Sequence, residues 1–468
     1  MSAPTFFFSD LETSGLSSSD DRIMQFAGQR TNLNLEEIGE PVNLLVKLAN
    51  DTLPSPSAIL TTKITPQSTQ QDGISEPELS KFLSEQVFTP ETIILGFNSV
   101  RFDDKFIQHL FWRNFYDPYE WQWKDGRSRW DMLDVVRMTR ALRPEGINWP
   151  VTEEGKPTNR LELITKLNGI SHESAHDALS DVTALIDVTR LIKKTQPNLF
   201  NYLFKLRDKR EVKNLIDPKN PVPFVYSSGR YGSEFNFTTV AVPLFLTKNG
   251  NCIVSDLRYN LDELLEAIKT EHPDFLNNPK LKLSNLLFPK FKELAFNRCP
   301  AVAPLSVLDK NNGWEKISLD KETIKNNLKI LDTHSELIKK LKNEENSREG
   351  IQAGVDPESS LYSSFLPDSD RPRLSAVRNA DENDLADFHP VFADPRLPEL
   401  LLHYKAKNFP TSLSESETKK WEEYRQARLN RQAPAFLSEL EKFKKSGADD
   451  FILEELFLWY ESLKESDY

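Results

Sequence analysis

The stretch TFFFSDLETSG, residues 5–15, constrains the fold more than any other part of this sequence. Three consecutive phenylalanines predict a buried β-strand, and this strand leads into Asp10 and Glu12. Carboxylates are costly to hold beside a core unless they are paired or bound to metal. Because alternate residues of a strand point to the same side, roughly 6.5–7 Å apart, the two carboxylates are expected to project together and could share a cation. The alternative is that Asp10 caps the following turn and Glu12 is solvated.

Length and composition indicate a folded protein of several domains. The 468 residues exceed one ordinary core, and this length suggests about three domains. A formal net charge of −12 argues against general attraction to nucleic acid, so any phosphate-binding surface must be local. Cys252 and Cys299 form no CxxC motif, which argues against a zinc site or a disulfide framework and fits a reducing compartment. We find no signal peptide and no long apolar run, and therefore expect a cytoplasmic protein without a membrane partner.

Periodicity divides the chain into three regions. Residues 1–200 alternate short apolar runs with amphipathic stretches, which predicts an α/β domain with a mixed sheet. Residues 201–350 contain, from 221 to 256, alternating aromatic and β-branched residues with glycines and an Asn-Gly pair, which predicts a β-hairpin meander. The polar stretch 343–360 predicts a linker, and residues 351–468 are predicted to be helical.

Two further segments carry acids where helices are predicted to begin. In IILGFNSVRFDDKF, an apolar strand leads to Asp103 and Asp104, one of which can cap the helix while the other faces a cleft. In SHESAHDALSD, Asp177 and Asp181 share a helical face, and His176 is expected at or before the first turn. Each segment alone also fits ordinary helix capping or inert surface residues.

Together, these three segments resemble the DEDDh group of DnaQ-like exonucleases, whose metal ligands and general base occur in this order. The stretches NSVRFDDKF, SRWDMLDVVR, ALRPEGINWP, AHDALSDV and YKAKNFP resemble the bacterial exonuclease I family, and the likeness spans nearly the whole chain. The resemblance implies an α/β fold: an RNase H-like DnaQ exonuclease domain with a mixed sheet, then an SH3-like domain and a helical C-terminal domain. It further implies a monomer that degrades single-stranded DNA 3′→5′ to nucleoside 5′-monophosphates in DNA repair and recombination.

The resemblance also assigns the catalytic centre. Two Mg²⁺ ions, for which Mn²⁺ can substitute, are implied as cofactors, and His176 as the general base. Asp104 and Asp177 become capping or supporting neighbours. The implied metal ligands, which are also catalytic, are Asp10, Glu12, Asp103 and Asp181.

Binding residues are implied in the same way. Residues 116–143 interleave aromatic side chains with arginines, as a track for single-stranded DNA would. Arg143 and Tyr202 resemble part of a pocket for the C-terminal tail of single-stranded DNA-binding protein. In the stretch TKITPQ, Lys63 replaces a family glycine, so this loop either differs or gains a phosphate contact. The positions that resemble substrate contacts are Glu12, Tyr119, Trp123, Arg137 and Arg160.

Other functions fit the sequence less well. DEDDh exoribonucleases and proofreading exonucleases share the five catalytic residues but are commonly shorter, single-domain proteins. A nucleic-acid-binding scaffold with a degenerate nuclease fold would not require all five. A phosphate-loop nucleotide hydrolase would need a G-x-x-x-x-G-K-[ST] motif, which the sequence does not contain.

Overall fold

The computed structural model describes residues 3–172, 177–275, 281–288, 290–347 and 356–465. Over these residues the chain forms two compact units, each of which joins segments that are distant in sequence. The first unit lies within Met1–Ser128, Glu173–Thr183 and Gly350–Tyr468, and the second within Arg129–His172 and Ala184–Glu349.

Strands are concentrated in the first two thirds of the chain, whereas the last third is helical. The strands are β1 (Thr5–Thr13), β2 (Ile23–Thr31), β3 (Glu37–Leu45), β4 (Thr92–Gly96), β5 (Ser128–Asp131), β6 (Phe224–Ser227), β7 (Thr238–Leu246), β8 (Cys252–Asp256), β9 (Phe291–Leu294) and β10 (Ala301–Pro304). The α-helices are α1 (Pro56–Thr62), α2 (Pro66–Asp72), α3 (Glu76–Phe82), α4 (Asp103–Arg113), α5 (Met132–Leu142), α6 (Leu161–Leu167), α7 (Ala178–Thr195), α8 (Pro197–Lys205), α9 (Lys209–Leu215), α10 (Leu261–Glu271), α11 (Leu283–Leu286), α12 (Gly313–Lys316), α13 (Lys321–Thr333), α14 (Ser335–Ser347), α15 (Arg371–Asn379), α16 (Glu382–Asp387), α17 (Leu397–Asn408), α18 (Glu415–Lys445) and α19 (Asp450–Glu465). None of the described helices combines the length and apolarity that crossing a bilayer would require.

The predicted phenylalanine strand is central to the sheet of the first unit. Strands lie there in the order β3-β2-β1-β4, with β1 antiparallel to β2 and parallel to β4. Phe6, Phe7 and Phe8 are all buried, and Phe7 packs with Phe26 and Ile94 in a core that α4 also lines. Burying one such ring contributes about 1.5–3 kcal/mol. This core fixes the phenylalanine part of β1, and therefore fixes where the carboxylates later in the same strand lie.

The last two helices of the chain belong to the same unit as this sheet. Met24 of β2 and Ile59 of α1 share a core with Phe436 of α18 and with Leu456 and Trp459 of α19. A further core joins the end of α4 to α15 and α17. The first and last parts of the chain therefore fold together around shared apolar clusters.

The linker predicted over residues 343–360 is wrong where the structure describes this stretch. Helix α14 continues to Ser347, and after the undescribed residues Glu358 and Ser360 are buried. The polar composition of this stretch predicts exposure, but Glu358 is buried because it forms ion pairs with cationic partners, Arg22 among them.

The second unit contains the predicted meander. Its sheet has the order β10-β6-β7-β8-β9, with all neighbours antiparallel. Gly250 of the Asn-Gly pair has φ +76° in the turn between β7 and β8, a conformation that glycine adopts without strain. Helix α5 packs against β6, β7 and β10.

Lys63, the residue at the family glycine, adopts the backbone conformation that glycine favours. It follows the last residue of α1 with φ 63° and ψ 11°, and its N–H donates to Ile59 O. Its ammonium group lies 3.6 Å from Asp449, and both side chains are exposed. The loop therefore keeps a glycine-type helix end.

Candidate active site

Asp10 and Glu12 lie where β1 reaches the end of the sheet, and their alternation places them on one face, as predicted. In the pairing with β2, Asp10 is opposite Ala27 and Glu12 is opposite Gln25. The register shifts between Glu12 and Thr13, which marks a β-bulge directly after the second acid. Bulges of this kind re-aim side chains beside functional sites.

Asp181 joins the two strand acids from the first turn of α7. Carboxylate oxygens of Asp10, Glu12 and Asp181 all lie within 4.8 Å of one another. Asp177 precedes the helix and accepts a hydrogen bond from Leu179 N at 3.4 Å, in the supporting position expected for it. The structure thus brings together three of the four predicted metal ligands.

Gln25 connects strand β2 to the start of α7, and the sequence analysis missed it. Its Nε2 donates to Asp177 Oδ1 at 3.1 Å, while its Oε1 accepts from Ala178 N at 3.3 Å. Because Gln25 is also the β2 partner of Glu12, it ties the two acid-bearing elements together. The only signal in the sequence was a polar residue inside the apolar strand IMQFAG.

Asp103, the fourth predicted ligand, is the first residue of α4, followed by Asp104 in the same turn. Both side chains are buried, and acids in a first turn are favoured by the helix dipole. Asp103 raises the pKa of both Asp10 and Glu12, so its charge acts on the cluster.

The electrostatics of this carboxylate cluster call for a cation. Burial, and then repulsion by Asp103 and Asp181, raises the pKa of Asp10 well above its usual value. Burial, followed by the charges of Asp181, Asp103 and Asp177, raises the pKa of Glu12 to about 8. Carboxylate oxygens are the ligands of hard divalent cations, which would relieve this repulsion. The donor set therefore fits a Mg²⁺-type ion.

His176 is the one predicted catalytic residue that lies outside the described residues. Asp177, the residue after it, is described, and its main-chain carbonyl accepts from Asp181 N at 3.0 Å. The role of His176 stays a prediction.

The aromatic track divides into exposed and core residues. In the first unit, Trp123 is 63% exposed, whereas Trp121, two residues earlier, is buried and stacks on Phe88. Tyr119 is half-buried, and its ring centroid lies 6.4 Å from that of Phe365, which is 87% exposed. Phe365 was missed because it is a single aromatic residue in the polar stretch SSFLPD.

The remaining predicted contacts belong to the second unit. Arg137 is only 12% exposed; its Nη1 donates to Asp134 Oδ1 at 2.5 Å. Arg160 is largely exposed and pairs with Glu162 at 2.5 Å.

The two residues proposed for a partner pocket also lie in the second unit. Arg143 follows α5 and donates to Leu142 O at 2.6 Å. The hydroxyl of Tyr202 donates to Val302 O at 3.1 Å, and burial raises the pKa of this phenol to about 12. Both side chains are half-buried.

Comparisons with known proteins agree over nearly the whole chain. Three family models match: Exonuclease over residues 7–189, Exonuclease I SH3-like domain over 207–344, and Exonuclease I C-terminal domain over 355–463. The chain is 36% identical to exodeoxyribonuclease I of Haemophilus influenzae, over 95% of each protein. It is 37% identical to that of Escherichia coli, over 95% of this chain and 94% of the relative.

Solved structures show the same similarity. E. coli exonuclease I in complex with a dA16 oligonucleotide superimposes with a TM-score of 0.90 at 35% identity, covering 98% of this chain and 100% of that one. A zinc-bound form of the E. coli complex with single-stranded DNA gives 0.90 at 34% identity, covering 99% and 100%. The predicted fold is confirmed: an α/β exonuclease domain, an SH3-like domain and a C-terminal domain.

Proposed function

Because this chain belongs to the exonuclease I family, and so is an exodeoxyribonuclease, we propose that it degrades single-stranded DNA in the 3′→5′ direction. The similar E. coli enzyme has been solved with several DNA oligonucleotides, which supports a single-stranded substrate. The observation that carries the proposal is the convergence of Asp10, Glu12 and Asp181 within 4.8 Å.

The proposed cofactors are two Mg²⁺ ions, for which Mn²⁺ would substitute. Asp10, Glu12, Asp103 and Asp181 would hold them. When bound, divalent ions at such a site stabilise the charge that develops on a phosphodiester during hydrolysis. The raised pKa of Glu12 and the zinc-bound form of the E. coli complex support a divalent-metal site.

The chain's own residues would supply positioning and proton transfer. His176 is proposed to accept the proton of the attacking water, because an imidazole with an ordinary pKa of about 6.5 can do so near neutral pH. Asp177 and Gln25 would hold the start of α7, and with it Asp181, in register with Glu12. Cleavage of the terminal phosphodiester would release a nucleoside 5′-monophosphate.

The proposed DNA track combines stacking and charge. Exposed Trp123 and half-buried Tyr119 would stack on bases, with Phe365 as a further aromatic surface beside Tyr119. Arg137 and Arg160 would contact phosphates. If Arg137 contributes a phosphate contact, Arg137→Ala will reduce the salt dependence of oligonucleotide binding. An unchanged slope of log affinity against log salt concentration would exclude Arg137 from the DNA track.

The partner site is a separate proposal. Arg143 and Tyr202 would bind the acidic C-terminal tail of single-stranded DNA-binding protein, since a guanidinium beside an aromatic ring suits a terminal carboxylate. Binding of a tail peptide that is unaffected when both residues are changed to alanine would contradict this assignment.

The remaining proposals concern the whole protein. We propose an exonuclease domain over residues 1–200, an SH3-like domain over 201–350 and a helical C-terminal domain over 351–468, acting as a monomer in the cytoplasm, where the proposed DNA substrate lies. Its physiological task would be DNA repair and recombination.

The direct test uses single strands labelled at the 3′ or the 5′ end. With Mg²⁺, the 3′ label is expected to appear first as a mononucleotide, and EDTA is expected to stop its release. Asp10→Ala and His176→Ala should greatly reduce release, whereas Asp72→Ala, at an exposed carboxylate ending α2, should not. First release of the 5′ label, or full activity of Asp10→Ala with ample Mg²⁺, would contradict the proposal.

A further inference from the structure

A cluster of charged side chains is buried in the first unit, away from the carboxylate site. It consists of Arg22, Asp51, Glu358, Lys407 and Arg428, whose side chains are at most 7% exposed. Arg22 Nη2 lies 2.6 Å from Glu358 Oε2, and Lys407 contacts the other oxygen of Glu358. Arg428 Nε lies 3.4 Å from Asp51 Oδ2. This set is called the buried charge cluster below.

Stability alone does not explain the buried charge cluster. Removing each ion from water costs several kcal/mol, and apolar side chains of similar volume often stabilise a fold equally well or better. The members also come from distant parts of the chain, Arg22 and Asp51 near its start and the others beyond residue 356. The other groups that the cations of the cluster bind therefore bear on its role.

Two guanidinium groups of the cluster hold the main chain of the β1–β2 loop, residues 14–22. Arg22 Nη1 donates to Asp20 O at 2.9 Å and to Asp21 O at 3.2 Å. Arg428 Nη2 donates to the same Asp20 O at 2.8 Å, and its Nε donates to Asp51 O at 3.0 Å. The loop is thus held by two side chains: that of Arg22, the residue before β2, and that of Arg428 in α18.

The β1–β2 loop closes directly beside Glu12. Ser14 N donates to Arg22 O, and Arg22 N donates to Ser14 Oγ, both at 2.9 Å. These bonds lie one residue beyond the bulge between Glu12 and Thr13. Because a bulge affects the direction of neighbouring side chains, a shift of Arg22 would reach the strand end that carries Glu12 through these bonds.

We propose that Glu358 and Arg428 are positioning residues for the metal site: they fix Arg22 and the β1–β2 loop, and through the adjacent bulge they aim Glu12 at the cation. Neither residue touches substrate or metal in this proposal. It rests on the proposed function only in that Glu12 is a metal ligand. It also gives the C-terminal part of the chain a role in forming the exonuclease site.

The test measures Mn²⁺ affinity of the full-length protein without DNA, by electron paramagnetic resonance, alongside thermal unfolding. Glu358→Gln removes the carboxylate 2.6 Å from Arg22 Nη2 and leaves only that of Asp51, at 3.7 Å, so it is expected to weaken Mn²⁺ binding about tenfold, the lower end of the effect of changing groups that support metal ligands. The control is Asp394→Asn, at another buried carboxylate of the C-terminal part, whose partner is Arg396 at 2.6 Å. It should lower thermal stability but leave Mn²⁺ affinity unchanged.

A second variant keeps the test decisive if Glu358→Gln does not fold. The double change Arg22→Met and Glu358→Met replaces the ion pair by apolar volume, so the fold should survive. The hydrogen bonds from Arg22 to Asp20 O and Asp21 O are then lost, and only that from Arg428 to Asp20 O remains. Weakened Mn²⁺ binding by this folded variant supports the proposal. Wild-type affinity in folded variants would overturn it, and wild-type protein that binds no Mn²⁺ would instead contradict the proposed function.

Discussion

Glu12 connects the protonation of one side chain to the stability of the metal-free protein. Its pKa is raised from 4.5 to about 8, chiefly by burial and by Asp181. Between these two pH values the folded protein therefore keeps a proton that the unfolded chain has already released. The free energy of unfolding in EDTA is therefore expected to fall as the pH rises from about 5 to about 8. Saturating Mn²⁺ should remove this loss, because the deprotonated carboxylate is the metal-binding form.

Urea denaturation across this pH range, with EDTA or with Mn²⁺, measures the effect. Glu12→Gln is the control, since it cannot titrate and should make the EDTA curve less steep; the raised pKa of Asp10 keeps part of the slope. Identical pH dependence for the wild type and Glu12→Gln would show that Glu12 is not the group responsible.

Trp123 allows a second test at the residue scale. Its exposed indole is expected to stack on a base, so Trp123→Ala should weaken oligonucleotide binding in EDTA by about 1–3 kcal/mol. Phe451→Ala, which removes a similarly exposed ring from α19, should have little effect. Fluorescence anisotropy with a labelled oligo-dT measures both. Equal affinities for the wild type and Trp123→Ala would exclude this stacking contact.

At the scale of elements, the end of α1 carries a measurable strain. Lys63 holds φ 63° without the freedom of glycine. Lys63→Gly should therefore raise the free energy of unfolding by about 0.5–1 kcal/mol. Lys63→Ala keeps the strained backbone and loses only the exposed pair with Asp449, so it should give no gain. Chemical denaturation that shows the same stability for both variants would contradict this explanation.

Elements with a clear periodicity were predictable, and elements that depend on buried charge were not. The phenylalanine strand, the meander and α7 follow from local apolar patterns. The stretch around Glu358 reads as polar and exposed, because its partner Arg22 lies more than 300 residues away. Similarly, Trp121 is buried and Trp123 exposed because of the short helical turn Glu120–Gln122, which contains Trp121 and ends at Trp123, and no local pattern specifies this turn.

At the scale of the whole molecule, the shared cores imply that the C-terminal helices stabilise the sheet of the first unit. Trp459 of α19 packs in the core that includes Met24, and its Nε1 donates to Thr52 O at 3.1 Å. Trp459→Ala is expected to cost about 3–5 kcal/mol.

Phe457→Ala is the matched control, because this ring of the same helix is 47% exposed and its loss should cost no more than about 0.5 kcal/mol. Urea denaturation followed by circular dichroism compares the two. A cost for Trp459→Ala as small as that of the control would mean that α19 contributes little to this unit.

The carboxylate cluster was predicted from the order of the acids and from the family resemblance, whereas its supports, Gln25 and the buried charge cluster, emerge only from the fold. The most direct measurement is anomalous diffraction from crystals soaked in Mn²⁺. The account predicts a strong peak among the carboxylates of Asp10, Glu12 and Asp181, lost in Asp10→Asn. No peak there at saturating Mn²⁺ would contradict the central claim.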